Sequence, residues 1–192
     1  MELIFNRPKR EIDRVFLHCS ASSLSAHDDV SVIRSWHLKN GWSDIGYHYF
    51  IKFDGMIQVG RNLEQTPAAQ KGHNVGTIAI CLAGNTISDF TDEQFESLQS
   101  LCKQINKQIP DVTFHGHCEV APKLCPVFDY QEVLDLDELG KMLGENFEPN
   151  RHKKVEAQAK FIEVFEELMD ISRRLEDLMR VSQELGDMID EL

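Results

Sequence analysis

Two rhythms of apolar positions alternate along most of the chain. Residues 15–20 (V-F-L-H-C-S) form a short, nearly continuous apolar run of the kind that makes a buried strand. Between residues 29 and 40, Val30, Ile33, Trp36 and His37 recur at helical spacing, and Asn40-Gly41 supplies a stop. Residues 47–53 predict a second strand, Asp54-Gly55 a hairpin turn and residues 56–59 the strand that pairs back. Residues 77–83 (T-I-A-I-C-L-A) predict another buried strand, closed by Gly84-Asn85. Thr91 followed by Asp92, Glu93 and Gln94 has the form of a capping box. The apolar set Phe95, Leu98, Leu101, Cys102, Ile105 and Ile109 then carries a helix to Pro110. Residues 112–114 predict a short strand and residues 131–143 a last helix. The alternation is that of an α/β or α+β domain.

After Gly144 the pattern changes. Residues 1–144 form the expected domain, residues 145–152 a linker, and residues 153–192 an amphipathic helix containing no proline and one glycine. Phe161, Val164, Leu168, Ile171, Leu175, Leu178, Ser182, Leu185, Ile189 and Leu192 keep the 3-4 spacing of heptad cores, with Ser182 alone polar. Such a tail, roughly 60 Å long if helical, is read as a coiled coil that makes the protein a homo-oligomer. Its extra apolar residues, among them Ile162, Phe165 and Met169, leave two alternatives open: folding back on its own domain, or pairing with a foreign helix.

Composition narrows the function. With 42% hydrophobic and 27% charged residues in 192, the chain can bury a core and intrinsic disorder is excluded as the default. A net charge of −12 without a basic stripe argues against a nucleic-acid partner. No apolar stretch is long enough for a membrane span, and the start M-E-L-I-F-N-R-P-K-R lacks the order of a signal peptide, so the expected site of synthesis is the cytoplasm. Five cysteines at irregular spacing do not suggest a disulfide framework. Cys19, Cys81 and Cys102 read as small buried hydrophobes.

The chemistry concentrates in H-G-H-C-E-V-A-P-K-L-C-P, residues 115–126. Imidazole and thiolate are the usual zinc ligands, and a catalytic zinc takes three of them while leaving a position for water. His117 and Cys125 are separated by seven residues, enough for a loop stiffened by Pro122 and Pro126 to bring both to one ion. The best third candidate is His18, on the strand face opposite Val15, Leu17 and Cys19, although a histidine in an apolar strand, taken alone, is more often a satisfied core residue. His115 and Cys118 flank the loop without a clear assignment. Trp36, His37 and His48 read as packing residues.

Taken in order, V-F-L-H-C-S-A (15–21), I-R-S-W-H (33–37), G-W-S-D-I-G-Y-H-Y (41–49), K-G-H-N (71–74) and E-V-A-P-K-L-C-P-V-F-D (119–129) resemble the zinc-dependent N-acetylmuramoyl-L-alanine amidases of type 2. The resemblance covers roughly residues 10 to 143, is nearest to the small phage amidases historically called lysozymes, and extends to the peptidoglycan recognition proteins. It implies a central mixed β-sheet flanked by helices with a zinc cleft on one face. It also implies one Zn2+ per chain on His18, His117 and Cys125, catalytic help from Tyr47 and Lys123, and substrate contacts near His73 and Asn74. The residues alone would not have chosen Tyr47 over Tyr49.

The implied reaction cleaves the amide between the lactyl group of N-acetylmuramic acid and L-alanine in peptidoglycan. Zinc would lower the pKa of its water to about 7 and polarise the carbonyl, Tyr47 would orient and relay a proton, and Lys123 would stabilise the oxyanion. An enzyme without a signal peptide would reach the wall after release through a holin-type lesion or another export route. Two other functions are weighed beside it: a module that binds peptidoglycan without cutting it, and a regulatory surface for a phage RNA polymerase. The negative charge predicts no electrostatic attraction to an anionic wall.

Overall fold

The apolar runs pair into one five-stranded sheet, in the order β3-β2-β4-β1-β5. Its strands are β1 (Arg14–Cys19), β2 (Tyr49–Ile51), β3 (Ile57–Val59), β4 (Thr77–Leu82) and β5 (Thr113–Gly116). The computed structural model describes residues 3–143 and Arg174. Strands β2, β4, β1 and β5 run parallel, and β3 returns antiparallel to β2 at one edge, so the sheet is mixed. The chain divides into Met1–Gly144 and Glu145–Leu192; the expected linker and coiled coil fall in the second part, outside the described residues apart from Arg174. Among the described residues no helix is long and apolar enough to cross a membrane.

The central strands β1 and β4 are covered on both faces, as parallel strands must be. One face carries the main core, in which Val15, Leu17, Ile78, Ile80 and Leu82 meet Leu98, Leu101, Cys102 and Ile105 of α2 (Asp92–Gln108). The other face packs Phe50, Cys81 and Ala83 against Ile33 of α1 (Val30–Lys39) and Ile45. In the β1–β4 register His18 lies beside Cys81. Paired residues of neighbouring strands project to the same face, so His18 belongs to the α1 side of the sheet.

Helix ends follow the sequence signals. Asp29 caps α1 by accepting a hydrogen bond from the Ser31 amide at 2.8 Å. Thr91 and Gln94 form the expected capping box on α2. Gln94 is also buried, and its amide donates to the carbonyls of Ala83 and Ile51, tying the start of α2 to the ends of β4 and β2. At the hairpin, Gly55 adopts φ +78°, and a Cβ there would lie 2.6 Å from the Glu93 carbonyl oxygen.

The helix expected over residues 131–143 is not formed as such. Helix α3 spans only Tyr130–Val133, and Asp135 then turns the chain with φ +50°. The Asp137 carboxylate takes the amides of Leu139 and Lys141, a local alternative that competes with helical hydrogen bonding. Gly140 bends the chain at φ +77°, and its carbonyl accepts from the Phe114 amide at 2.7 Å beside β5. Two aspartates and a glycine outweigh the apolar spacing here.

Candidate metal centre

Strand β1 and a loop far along the chain, with Cys125 lying 107 residues after His18, converge on the α1 side of the sheet. Strand β1 delivers His18 near its end, with 1% of its surface exposed. The 3₁₀ turn His117–Glu119 directly after β5 delivers His117. The loop that follows returns Cys125, whose carbonyl accepts from the Cys118 amide at 2.8 Å and so closes the loop on itself. The nitrogen ligand atoms of His18 and His117 and the Cys125 sulfur all lie within 4.8 Å of one another. His18 Nδ1 is 3.8 Å from Cys125 Sγ. A tetrahedral ion with bonds of about 2.0 Å to nitrogen and 2.3 Å to sulfur would space such atoms about 3.6 Å apart, so the cluster is near ligating geometry.

The protonation states suit a cation. Burial is the largest of the effects that push His18 down to about 3, followed by the charge of His117, with Lys123 adding to it and the hydrogen bond to Gln70 opposing. His117 is lowered by burial and by Lys123. Both rings are therefore neutral donors at physiological pH. The Cys125 thiol, hydrogen-bonded to the Cys19 side chain and partly buried, sits well above the ordinary thiol range. A cation held here would reverse that preference, since a coordinating thiol is deprotonated. Within this donor set, two imidazoles and one thiolate, zinc is a natural occupant.

Aromatic rings form a file into the cluster. Trp42 stacks beside His37 (centroids 4.5 Å apart), His37 beside Tyr47 (5.4 Å), Tyr47 beside His18 (5.1 Å) and His18 beside His117 (4.7 Å). Burial, then the neighbouring Cys81, Cys125 and Cys19 sulfurs, raise the Tyr47 phenol well above its usual value. Tyr47 thus remains a protonated hydroxyl at the edge of the cluster. Lys123 is exposed on the same loop as Cys125, and its charge is felt at both histidines.

The other sequence candidates fall at defined distances from this chemistry. His73 is exposed, and Asn74 spends its side-chain oxygen on the amides of Ala69 and Gln70, each at 3.0 Å, shaping a turn beside the cluster. His37 accepts from the Gly46 amide at 3.0 Å. His48 accepts from the Ala79 amide through Nδ1 and donates through Nε2 to the Gln65 carbonyl, a buried tie between β4 and the segment after β3. His115 bridges Thr113 and Glu119, while Glu119 also accepts from the Gly116 amide and the Tyr130 hydroxyl. This network braces the turn that bears His117. Cys118 is exposed and outside the ligand cluster.

Two contributions to the cluster are not foreseen from the sequence. Cys19, read as a buried hydrophobe, is indeed buried, yet its backbone amide donates to Cys125 Sγ. Gln70, with no exposed surface, has its side-chain oxygen 3.2 Å from His18 Nε2. Its signal in the sequence is faint: a glutamine within a Gly- and Asn-containing turn.

The mixed α/β scaffold thus brings together His18, His117 and Cys125, a cluster that could hold a metal ion. Residues 8–128 match the N-acetylmuramoyl-L-alanine amidase family, and the chain belongs to that family of amide hydrolases. It is 36% identical to the endolysin of Escherichia phage T7 over 139 residues, covering 69% of this chain and 92% of the relative. The endolysin of Klebsiella phage KP32 is 34% identical over 137 residues, with 68% and 91% covered. Among solved structures, the N-acetylmuramoyl-L-alanine amidase LysC from Clostridium intestinale superposes with a TM-score of 0.58 at 25% identity, over 66% of this chain and 85% of that one.

Proposed function

We propose that the protein is a zinc-dependent endolysin, hydrolysing the amide between the lactyl group of N-acetylmuramic acid and L-alanine of the peptidoglycan stem peptide. The observation that carries this reading is the convergence of His18, His117 and Cys125 ligand atoms within 4.8 Å on a family-matched scaffold. These three residues would hold one zinc per chain. When bound, zinc supplies Lewis-acid activation of water and of the amide carbonyl.

The rest of the chemistry falls to side chains at the rim. Tyr47, held protonated, donates a hydrogen bond to the carbonyl oxygen or the attacking water and can pass a proton toward the leaving amine. Lys123 places a positive charge where negative charge develops on the carbonyl oxygen. His73 and Asn74, on the turn beside the cluster, are the proposed contacts for the substrate. Similarity to phage endolysins supports action on the wall after release from the cytoplasm. The heptad positions from Phe161 to Leu192 support a coiled-coil homo-oligomer, which would raise the effective concentration of sites on a polymeric substrate.

Product analysis tests the reading directly. Purified peptidoglycan digested by the zinc-loaded protein should release stem peptides with a free L-alanine amine, detected by mass spectrometry, and a chelated sample should release none. Intact peptidoglycan in the presence of stoichiometric zinc would overturn it.

A further inference from the structure

We propose that Gln70 is a positioning residue that fixes which nitrogen of His18 faces the metal and so sets metal affinity; this rests on the reading of the cluster as a zinc site. Three buried side chains carry the argument: His18, Gln70 and Thr77 have 1%, 0% and 0% of their surface exposed. They form a directed chain. The Thr77 hydroxyl donates to the Asn74 carbonyl at 2.8 Å. A carbonyl can only accept, so the single hydroxyl hydrogen of Thr77 is committed there. Thr77 Oγ1 must then accept from Gln70, and the Gln70 amide nitrogen lies 2.7 Å away.

That assignment fixes the Gln70 amide. Its nitrogen faces Thr77, donating a longer bond to the His73 carbonyl as well, and its oxygen faces His18 Nε2 at 3.2 Å. An amide oxygen can only accept, so Nε2 of His18 must carry the hydrogen. The unprotonated Nδ1 is left pointing toward Cys125 Sγ, 3.8 Å away. With the amide flipped, Gln70 would present its NH2 to His18, and its oxygen would meet a Thr77 oxygen with no hydrogen to offer. Metal-ligating histidines typically need such a partner on their second nitrogen, both for orientation and for basicity.

The same chain joins the ligand to the proposed substrate turn. Gln70 is held by its backbone as well, through Asn74 Oδ1 on its amide and the His73 amide on its carbonyl. The turn that carries His73 and Asn74 therefore also sets the angle of the His18 ring.

The test uses the full-length protein, with zinc affinity measured by chelator competition and the His18 tautomer read from long-range 1H–15N correlation in the metal-free form. Gln70→Leu keeps the volume but removes the acceptor; zinc affinity is expected to fall 10- to 100-fold, with His18 passing to a mixture of tautomers. Gln70→Glu retains an acceptor and is expected to stay within a few-fold of wild type. Thr77→Val, which cuts the chain one link back, is expected to mix the tautomers and is the substitute readout if Gln70→Leu does not fold. Wild-type protein that binds zinc tightly, together with Gln70→Leu or Thr77→Val protein that keeps both affinity and the Nε2–H tautomer, would overturn the inference. Equal losses in the Leu and Glu variants with the tautomer unchanged would overturn it too. Wild-type protein that does not bind zinc would instead sink the reading of the cluster itself.

Discussion

The backbone amide of Cys19 donates a hydrogen bond to the sulfur of Cys125 at 3.3 Å, across 106 residues of sequence. The end of β1 thus grips Cys125 with main chain as well as presenting His18 beside it. A hydrogen bond to a charged sulfur is about twice as strong as one to a neutral acceptor. The contact therefore favours the thiolate form that a metal requires.

Cys125→Ser should keep the fold and lose the metal. The hydroxyl fits the space of the thiol but is a harder donor that stays protonated. Zinc retained after gel filtration, measured by elemental analysis, is expected to fall at least tenfold, in line with the loss of a ligand-shell contact, with the far-UV circular dichroism unchanged.

Tyr47→Phe and Lys123→Ala should separate chemistry from metal binding. Neither side chain belongs to the three-residue ligand cluster, so zinc content should match wild type. Turnover on peptidoglycan is expected to fall by roughly 10²- to 10⁴-fold for Tyr47→Phe and roughly 10²- to 10³-fold for Lys123→Ala. Zinc loss comparable to that of Cys125→Ser would contradict these roles.

Gly60→Ala should perturb the site from a distance. A Cβ at Gly60 would lie 2.4 Å from the Tyr47 carbonyl oxygen, a contact that backbone must move to relieve. The hydrogen bonds from the Gly60 amide to the His48 carbonyl and from the Arg61 amide to the Tyr47 carbonyl, both 2.8 Å, would be strained. Chemical denaturation should show a loss of roughly 1–3 kcal/mol, accompanied by reduced turnover because Tyr47 is displaced.

Acid should destabilise the domain through His48. Burial, with Arg10 and Arg61 nearby, lowers this histidine from 6.5 to about 4 in the folded protein, despite the favourable bond to the Gln65 carbonyl. The unfolded chain then binds the proton more readily. The contribution is fully present above pH 6.5, declines as pH falls through the interval, and is gone below about 4. Its size is on the order of 3 kcal/mol. In urea titrations, His48→Gln should lower the neutral plateau and flatten this part of the acid limb; an unchanged acid limb would rule out His48 as its source.

Much of this site was legible in the sequence because its residues carry unusual chemistry in unusual places. His117 and Cys125 bracket a proline-stiffened loop, so type and spacing marked them, whereas His18, a lone histidine in an apolar strand, gained its weight from the family motifs around it. Tyr47 did not stand out, since two tyrosines flank His48 and only the packed rings distinguish them. Gln70 was not legible at all: a neutral amide in a turn acquires meaning from Thr77 and His18, seven and 52 residues away. Strand and helix positions followed hydrophobic period and capping residues closely. The final helix was overread because apolar spacing over 131–143 says nothing of Asp137 capturing two backbone amides.

The candidate ligands come from the end of β1 and from the segment beyond β5, and these two strands are neighbours in space but not in the chain. A chain still emerging from the ribosome holds His18 early, yet owns no complete centre until residue 125 has emerged and β5 has docked. On the proposed reading, the nascent enzyme would stay inert until that point. An ion seated there would clasp the end of β1 to the loop beyond β5, so metal supply and resistance to unfolding would rise together.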